Sequence, residues 1–78
     1  MRYHLYNFHG ITRTKLEKVI DEYVVGYKAE RNRILLKRRV CDGMTYEDLA
    51  EEMDMSVRQV KKICYAYESV ICEHIWEE

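Results

Sequence analysis

The amino-acid sequence predicts an all-α fold: a four-helix domain that contains a helix-turn-helix, with an aromatic N-terminal arm. Three observations support this prediction. No proline occurs among the 78 residues, and only three glycines interrupt them, so long helices are permitted. Apolar residues recur three and four positions apart over most of the chain, which is the spacing of one buried helix face. Hydroxyl residues that can cap a helix N-terminus precede three of these segments.

The length fits one domain, which we place over residues 1–78. A hydrophobic content of 47% is ordinary for a folded protein and argues against disorder. The three cysteines are an odd number, so we expect free thiols in the reducing cytoplasm. Because no apolar run approaches the roughly 18 residues of a membrane span, we expect a cytoplasmic protein without a membrane partner.

The arm covers residues 1–11 and is expected to pack on the helices, since its large side chains would otherwise face water. These side chains are Tyr3, Leu5, Tyr6, Phe8 and Ile11. The first helix is predicted over about residues 14–27, opened by a capping box of Thr14 and Glu17. Its predicted buried face consists of Leu16, Val19, Ile20, Tyr23, Val24 and Tyr27. Gly26 marks the end of this helix or a kink near it.

The three remaining helices are predicted over about residues 30–42, 45–53 and 56–76. Gly43 is expected to end the second helix as a left-handed C-terminal cap. Thr45 opens the third helix in a capping box with Asp48. Ser56 opens the fourth helix in a similar box with Gln59.

The apolar residues of the second and fourth helices predict how each one packs. Those of the second surround more than half of it, so we expect a central position: Ile34, Leu35, Leu36, Val40 and Cys41. Those of the fourth form one stripe: Val57, Val60, Ile63, Cys64, Tyr67, Ile71, His74 and Ile75.

Residues 45–64 have the spacing of a helix-turn-helix, in which the second helix enters the major groove of DNA. Ala50 supplies the small residue where the two helices cross closely. Asp54 occupies the turn position that needs a positive φ and usually holds glycine, a position that Asp tolerates. The residues predicted to seal the corner are Leu49, Met53, Met55, Val60 and Ile63.

The net charge of −1 hides strong segregation along the chain. The local charge is +5 over residues 28–40, −6 over residues 41–55 and +3 over residues 56–65. A near-neutral total therefore leaves room for a polyanionic partner and predicts a confined contact area. The alternative is that these charges form ordinary solvated helix faces.

Three features follow one another between residues 30 and 67: a basic helix, the stretch Asp42-Gly-Met-Thr-Tyr-Glu-Asp48, and the stretch Ser56-Val-Arg-Gln-Val-Lys61. In this order they resemble region 4 of bacterial sigma factors and the small phage and prophage regulators built on that module. The resemblance covers a little under half of the chain. It implies promoter-like recognition of double-stranded DNA by a transcriptional regulator, with RNA polymerase as a further candidate partner. It does not extend to the sigma regions that melt promoters.

Helix geometry places the candidate DNA contacts opposite the buried stripe of the fourth helix. Arg58 and Lys62 are predicted to read base edges, because Arg and Lys suit the acceptors of guanine. Gln59 could pair with adenine, although its capping role competes for the same amide. Ser56 can offer its hydroxyl and nearby backbone amides to a phosphate. The candidate set is completed by Lys61 and Tyr65 on the same face, and by Arg38 and Arg39 as phosphate contacts from the second helix.

A second hypothesis is a protein-interaction or dimerisation module that uses the helix-turn-helix as a scaffold. It is motivated by the acidic third helix and by Cys72 and Trp76, which we expect on the outer side of the fourth helix. A homodimer would read palindromic half-sites about one helical turn apart. We expect no enzyme, no cofactor and no metal, because catalytic signatures and the ligand spacing of metal sites are missing from the sequence.

Overall fold

The computed structural model describes residues 11–75, and the regular secondary structure within this range is entirely α-helical. The helices are α1 (Arg13–Tyr23), α2 (Ala29–Val40), α3 (Tyr46–Met53) and α4 (Val57–His74). The predicted all-α class and the four helices are confirmed for this part of the chain. Apart from Ile11, the predicted arm lies outside the described residues. Trp76 also lies outside them. None of the helices described is both long and apolar enough to cross a bilayer.

The N-terminus of α1 differs from the prediction. Thr12 caps it, with Thr12 Oγ1 accepting a hydrogen bond from the backbone N–H of Lys15 at 3.1 Å. The predicted capping box of Thr14 and Glu17 is therefore wrong. Ile11, directly before the cap, packs against the core that contains Leu16. These two positions are those of a hydrophobic staple, which favours Thr12 as the cap.

The C-terminus of α1 also lies earlier than predicted. Val24 leaves the helix in an extended conformation with φ −91° and ψ 91°, so α1 ends at Tyr23. Gly26 follows with φ +95°, a conformation that favours glycine. Tyr27, which was predicted to be buried, is 84% exposed because it lies in this connection.

α2 lies at the centre of the fold, as predicted, and contacts α1, α3 and α4. Leu35 and Leu36 are fully buried, whereas Ile34, one of the apolar residues expected to surround more than half of this helix with contacts, is exposed. The helix ends at Val40, and Gly43 has the predicted positive φ, at 71°. α2 is thus anchored on several sides while one edge stays open to solvent.

The corner between α3 and α4 is fixed by backbone hydrogen bonds around Asp54. This residue has φ 56° and ψ 49°, which is the left-handed conformation predicted for it. Its N–H donates to the carbonyl of Glu51 at 3.4 Å, and the N–H of Met55 donates to the carbonyl of Ala50 at 2.8 Å. This pair of bonds is a Schellman motif, which ends α3 and turns the chain into α4.

Two of the predicted N-terminal caps are found, one at the start of α3 and one at the start of α4. Thr45 caps α3 by accepting from the N–H of Asp48 at 3.1 Å, which is one half of the predicted box. Ser56 and Gln59 form both halves of theirs at the start of α4. Because these bonds are local in sequence, they fix where each helix begins before any tertiary contact is considered.

All four helices contribute to one hydrophobic core. Its buried residues are Leu16, Val19, Ile20, Val24, Leu35, Leu36, Val40, Leu49, Ala50, Val60, Cys64, Ile71 and Ile75. Burial raises the pKa of the Cys64 thiol to about 12, so this cysteine is a neutral packing residue at physiological pH. The core holds α4 along its length and leaves the opposite side of that helix in solvent.

Candidate nucleic-acid interface

The first half of α4 presents a basic face to solvent. Arg58, Lys61, Lys62 and Tyr65 are all exposed. Their spacing of three, four and seven residues puts them on one side of the helix. We call these four residues the α4 face. Val60, in the same stretch, points into the core and is fully buried.

The charges on the α4 face have few intramolecular partners. Within residues 11–75, neither Arg58 nor Lys62 takes part in an ion pair or a side-chain hydrogen bond. Lys61 Nζ lies 5.7 Å from the centre of the Tyr46 ring, near enough for a weak cation–π contact. The partial positive charge of a helix N-terminus adds to these charges. The α4 face is therefore an anion-attracting surface.

The N-terminus of α4 is occupied by its own capping box. Ser56 Oγ accepts from the N–H of Gln59 at 3.1 Å, and Gln59 Oε1 accepts from the N–H of Ser56 at 3.4 Å. Bidentate pairing of Gln59 with adenine would need that same Oε1 as an acceptor for the adenine amino group. Ser56 keeps its hydroxyl proton as a donor. The geometry therefore suits Ser56 for a phosphate contact better than it suits Gln59 for reading a base.

Tyr46 lies at the centre of a cluster that joins three helices. The guanidinium carbon of Arg39 is 4.1 Å from the centre of its ring, which is cation–π geometry. The ring of Tyr65 approaches edge-on, with centroids 6.0 Å apart and planes at 87°. The Tyr46 hydroxyl donates to Glu68 Oε2 at 3.4 Å. We call Arg39, Tyr46, Tyr65 and Glu68 the Tyr46 cluster.

Glu68 was not predicted from the sequence as part of this region. Glu68 is only 8% exposed, whereas the other buried residues of α4 are the apolar Val60, Cys64 and Ile71. A buried carboxylate requires hydrogen bonds, and the donor here comes from Tyr46, 22 residues away. Burial raises the pKa of Tyr46, which keeps its hydroxyl protonated as a donor. No local sequence signal could have identified this pair.

The two arginines proposed as phosphate contacts lie in different surroundings. Arg38 forms an ion pair with Glu52 of α3, and both side chains stay about 40% exposed. Arg39 Nη1 donates to the carbonyl of Met44 at 2.6 Å, and its guanidinium lies on Tyr46. Arg38 is accessible to an external anion in competition with Glu52. Arg39 is part of the packing that joins α2 to α3.

The acidic residues of α3 also lie on the surface, as predicted. They are Glu47, Asp48, Glu51 and Glu52. Cys72, which was expected on the outer side of α4, is instead half-buried and packs against the core. In the part of the chain that the structure describes, no group of His, Cys, Asp and Glu side chains is arranged to hold a metal ion.

The chain matches no family model, no curated protein and no solved structure. The resemblance to region 4 of sigma factors therefore depends on the motifs between residues 30 and 67, and it stays a prediction. Function has to be inferred from the α4 face and the Tyr46 cluster.

Proposed function

We propose that this protein binds double-stranded DNA sequence-specifically and acts as a transcriptional regulator. The observation that carries the proposal is the α4 face, where Arg58, Lys61, Lys62 and Tyr65 are exposed on a helix anchored by its other side. Helices that read the major groove use side chains at this same spacing of three, four and seven residues. Arg and Lys are also the residues that most often contact guanine there.

The corner between α3 and α4 supports a helix-turn-helix. Ala50 is buried on α3, and its carbonyl accepts the bond from Met55 that closes the turn. A small residue at this place lets the second helix approach closely. The exposed carboxylates of α3 would be repelled by phosphates. We therefore place α4 in the groove and the carboxylates of α3 outside it, where Glu52 pairs with Arg38 as long as no phosphate is bound.

The contact area is expected to be small. Phosphate contacts are assigned to Ser56 at the N-terminus of α4 and to Arg38 when it leaves Glu52. Arg58 and Lys62 are assigned to base edges, and Lys61 and Tyr65 complete the surface. Each phosphate that is neutralised contributes about −0.9 to the slope of log affinity against log salt concentration. A slope of about −2 to −4 is expected for such a confined surface.

Selection from a random pool of duplex DNA, followed by fluorescence anisotropy at several salt concentrations, tests the proposal. Arg58→Ala and Lys62→Ala are each expected to lower the affinity for the selected duplex about tenfold, the loss of one base-reading contact. The matched control is Lys18→Ala, which removes one charge from an exposed position on α1 and should lower affinity less than threefold. Absence of binding by the unchanged protein at low salt, or equal effects of all three variants, would contradict the proposal.

A protein-interaction module is the second candidate function. It is favoured by apolar side chains that are exposed away from the α4 face, namely Val25, Tyr27 and Ile34. Sedimentation separates the two candidates, since a stable dimer that does not bind any selected duplex would support the second. RNA polymerase stays a proposed partner on the sequence resemblance alone.

A further inference from the structure

We propose that Tyr65 recognises the 5-methyl group of a thymine in the major groove. This inference rests on the proposed function and deepens it, because it assigns a chemical target to one residue of the α4 face. The ligand is a T·A base pair within the bound duplex, and the recognised group is the methyl carbon on the thymine ring.

Tyr65 is an aromatic residue among cations. It follows Lys61 by four residues and Lys62 by three, so it shares their side of α4. Tyr65 is 45% exposed, so part of the residue lies at the surface of the basic face. An aromatic ring in this place gives the basic face an apolar contact that phosphates cannot use.

The ring of Tyr65 is held by the Tyr46 cluster. Its edge-to-face contact with Tyr46, at 6.0 Å and 87°, is an arrangement that aromatic pairs prefer. Tyr46 is itself fixed by Arg39 over its ring and by its hydrogen bond to Glu68. A side chain held in this way loses little conformational freedom on binding, so its contact is preorganised.

The chemistry of the major groove determines which group such a ring can recognise. Base edges there present hydrogen-bond donors and acceptors, and the one apolar group among them is the thymine methyl. Lys61 and Lys62, one turn before Tyr65, can donate to neighbouring acceptors while the ring covers the methyl group. Recognition by Tyr65 therefore distinguishes thymine from uracil, whose hydrogen-bonding groups are the same.

Replacement of thymine by deoxyuridine in the selected duplex tests the inference, because it removes only the methyl groups. Each methyl group buried against Tyr65 is expected to contribute about fourfold in affinity, which corresponds to about 0.8 kcal/mol. Single replacements along the duplex should locate the effect at one or two positions. Equal affinity of the unchanged protein for all the thymine and deoxyuridine duplexes would overturn the inference while leaving the proposed function intact.

Variants of the protein assign the effect to the ring. Tyr65→Ser should bind the two duplexes equally, whereas Tyr65→Phe should keep the fourfold preference because it keeps the ring. Tyr27→Ser is the control for loss of an exposed tyrosine elsewhere, and it should also keep the preference. A preference that persists in Tyr65→Ser, with circular dichroism unchanged, would assign the methyl contact to another residue and refute the inference. If the unchanged protein binds no duplex at all, both the proposed function and this inference are refuted.

Discussion

The two basic helices of this protein differ in how their charges are used. α2 carries five basic side chains and α4 carries three. Those of α2 contact partners within the chain, including Lys37 with Asp21 at 2.7 Å, Arg33 with the carbonyl of Val24 at 2.8 Å, and Arg38 with Glu52. On α4, Arg58 and Lys62 have no such partners among residues 11–75.

The difference shows that the number of charges in a segment does not measure the charge available to a ligand. The more basic helix has most of its cationic side chains bound within the fold, two of them in ion pairs and the others on uncharged oxygen acceptors, while Arg58 and Lys62 of the less basic helix remain open. A cation that is paired with a carboxylate of the same chain must leave that carboxylate before it can bind a phosphate. α4 is therefore the helix that we expect to dominate DNA affinity, and α2 the one that contributes to stability.

The largest effect is expected from Arg39. Arg39→Ala removes a charged hydrogen bond to Met44 and the contact with Tyr46, so the free energy of unfolding should fall by about 2 kcal/mol. Arg58→Ala should change it by less than about 0.5 kcal/mol, since Arg58 is exposed and makes no such contacts with residues 11–75. Urea denaturation measures both values. A loss of stability as large for Arg58→Ala as for Arg39→Ala would show that the basic residues of α2 and α4 do not differ in their contribution to the fold.

A smaller effect, on DNA affinity, is expected from a substitution of Glu52. Glu52→Gln should release Arg38 for a phosphate, raising DNA affinity by up to about fivefold, because an exposed ion pair is worth up to about 1 kcal/mol. The salt slope should steepen by about 0.9, the contribution of one further phosphate. Anisotropy titrations check both quantities. Glu47→Gln makes the same charge change without freeing an arginine, so an identical slope in the two variants would exclude this role of Arg38.

Lys37 should give the smallest effect. Its partner Asp21 is more than half exposed, so Lys37→Gln should lower the free energy of unfolding by less than about 1 kcal/mol. DNA affinity should fall no more than in Lys18→Gln, because Lys37 is already paired on the side of α1. Thermal unfolding and anisotropy provide the two measurements. A larger fall in affinity than in that control would show that α2 contributes directly to the DNA contact.

Much of the candidate site could be predicted from helical spacing. The outward position of Arg58, Lys61, Lys62 and Tyr65 follows from the apolar stripe on the other side of α4, and the structure confirms their exposure. Their role in binding DNA stays a prediction. Glu68 and the contacts of Arg39 could not be predicted, because their partners come from other helices and from residues distant in the sequence.

Local features of the sequence are enough to predict four helices, the caps at Thr45 and Ser56, and the left-handed turn at Asp54, although not the ends of α1. These features depend on hydrogen bonds and conformational preferences that act within a few residues. The exposure of Tyr27 and the choice of which cations form ion pairs depend instead on how the helices pack. The Arg38–Glu52 pair spans 14 residues and the contact of Tyr46 with Glu68 spans 22. Such pairs form only when the packing of apolar faces brings separate helices together, and that packing leaves α4 as the open basic surface.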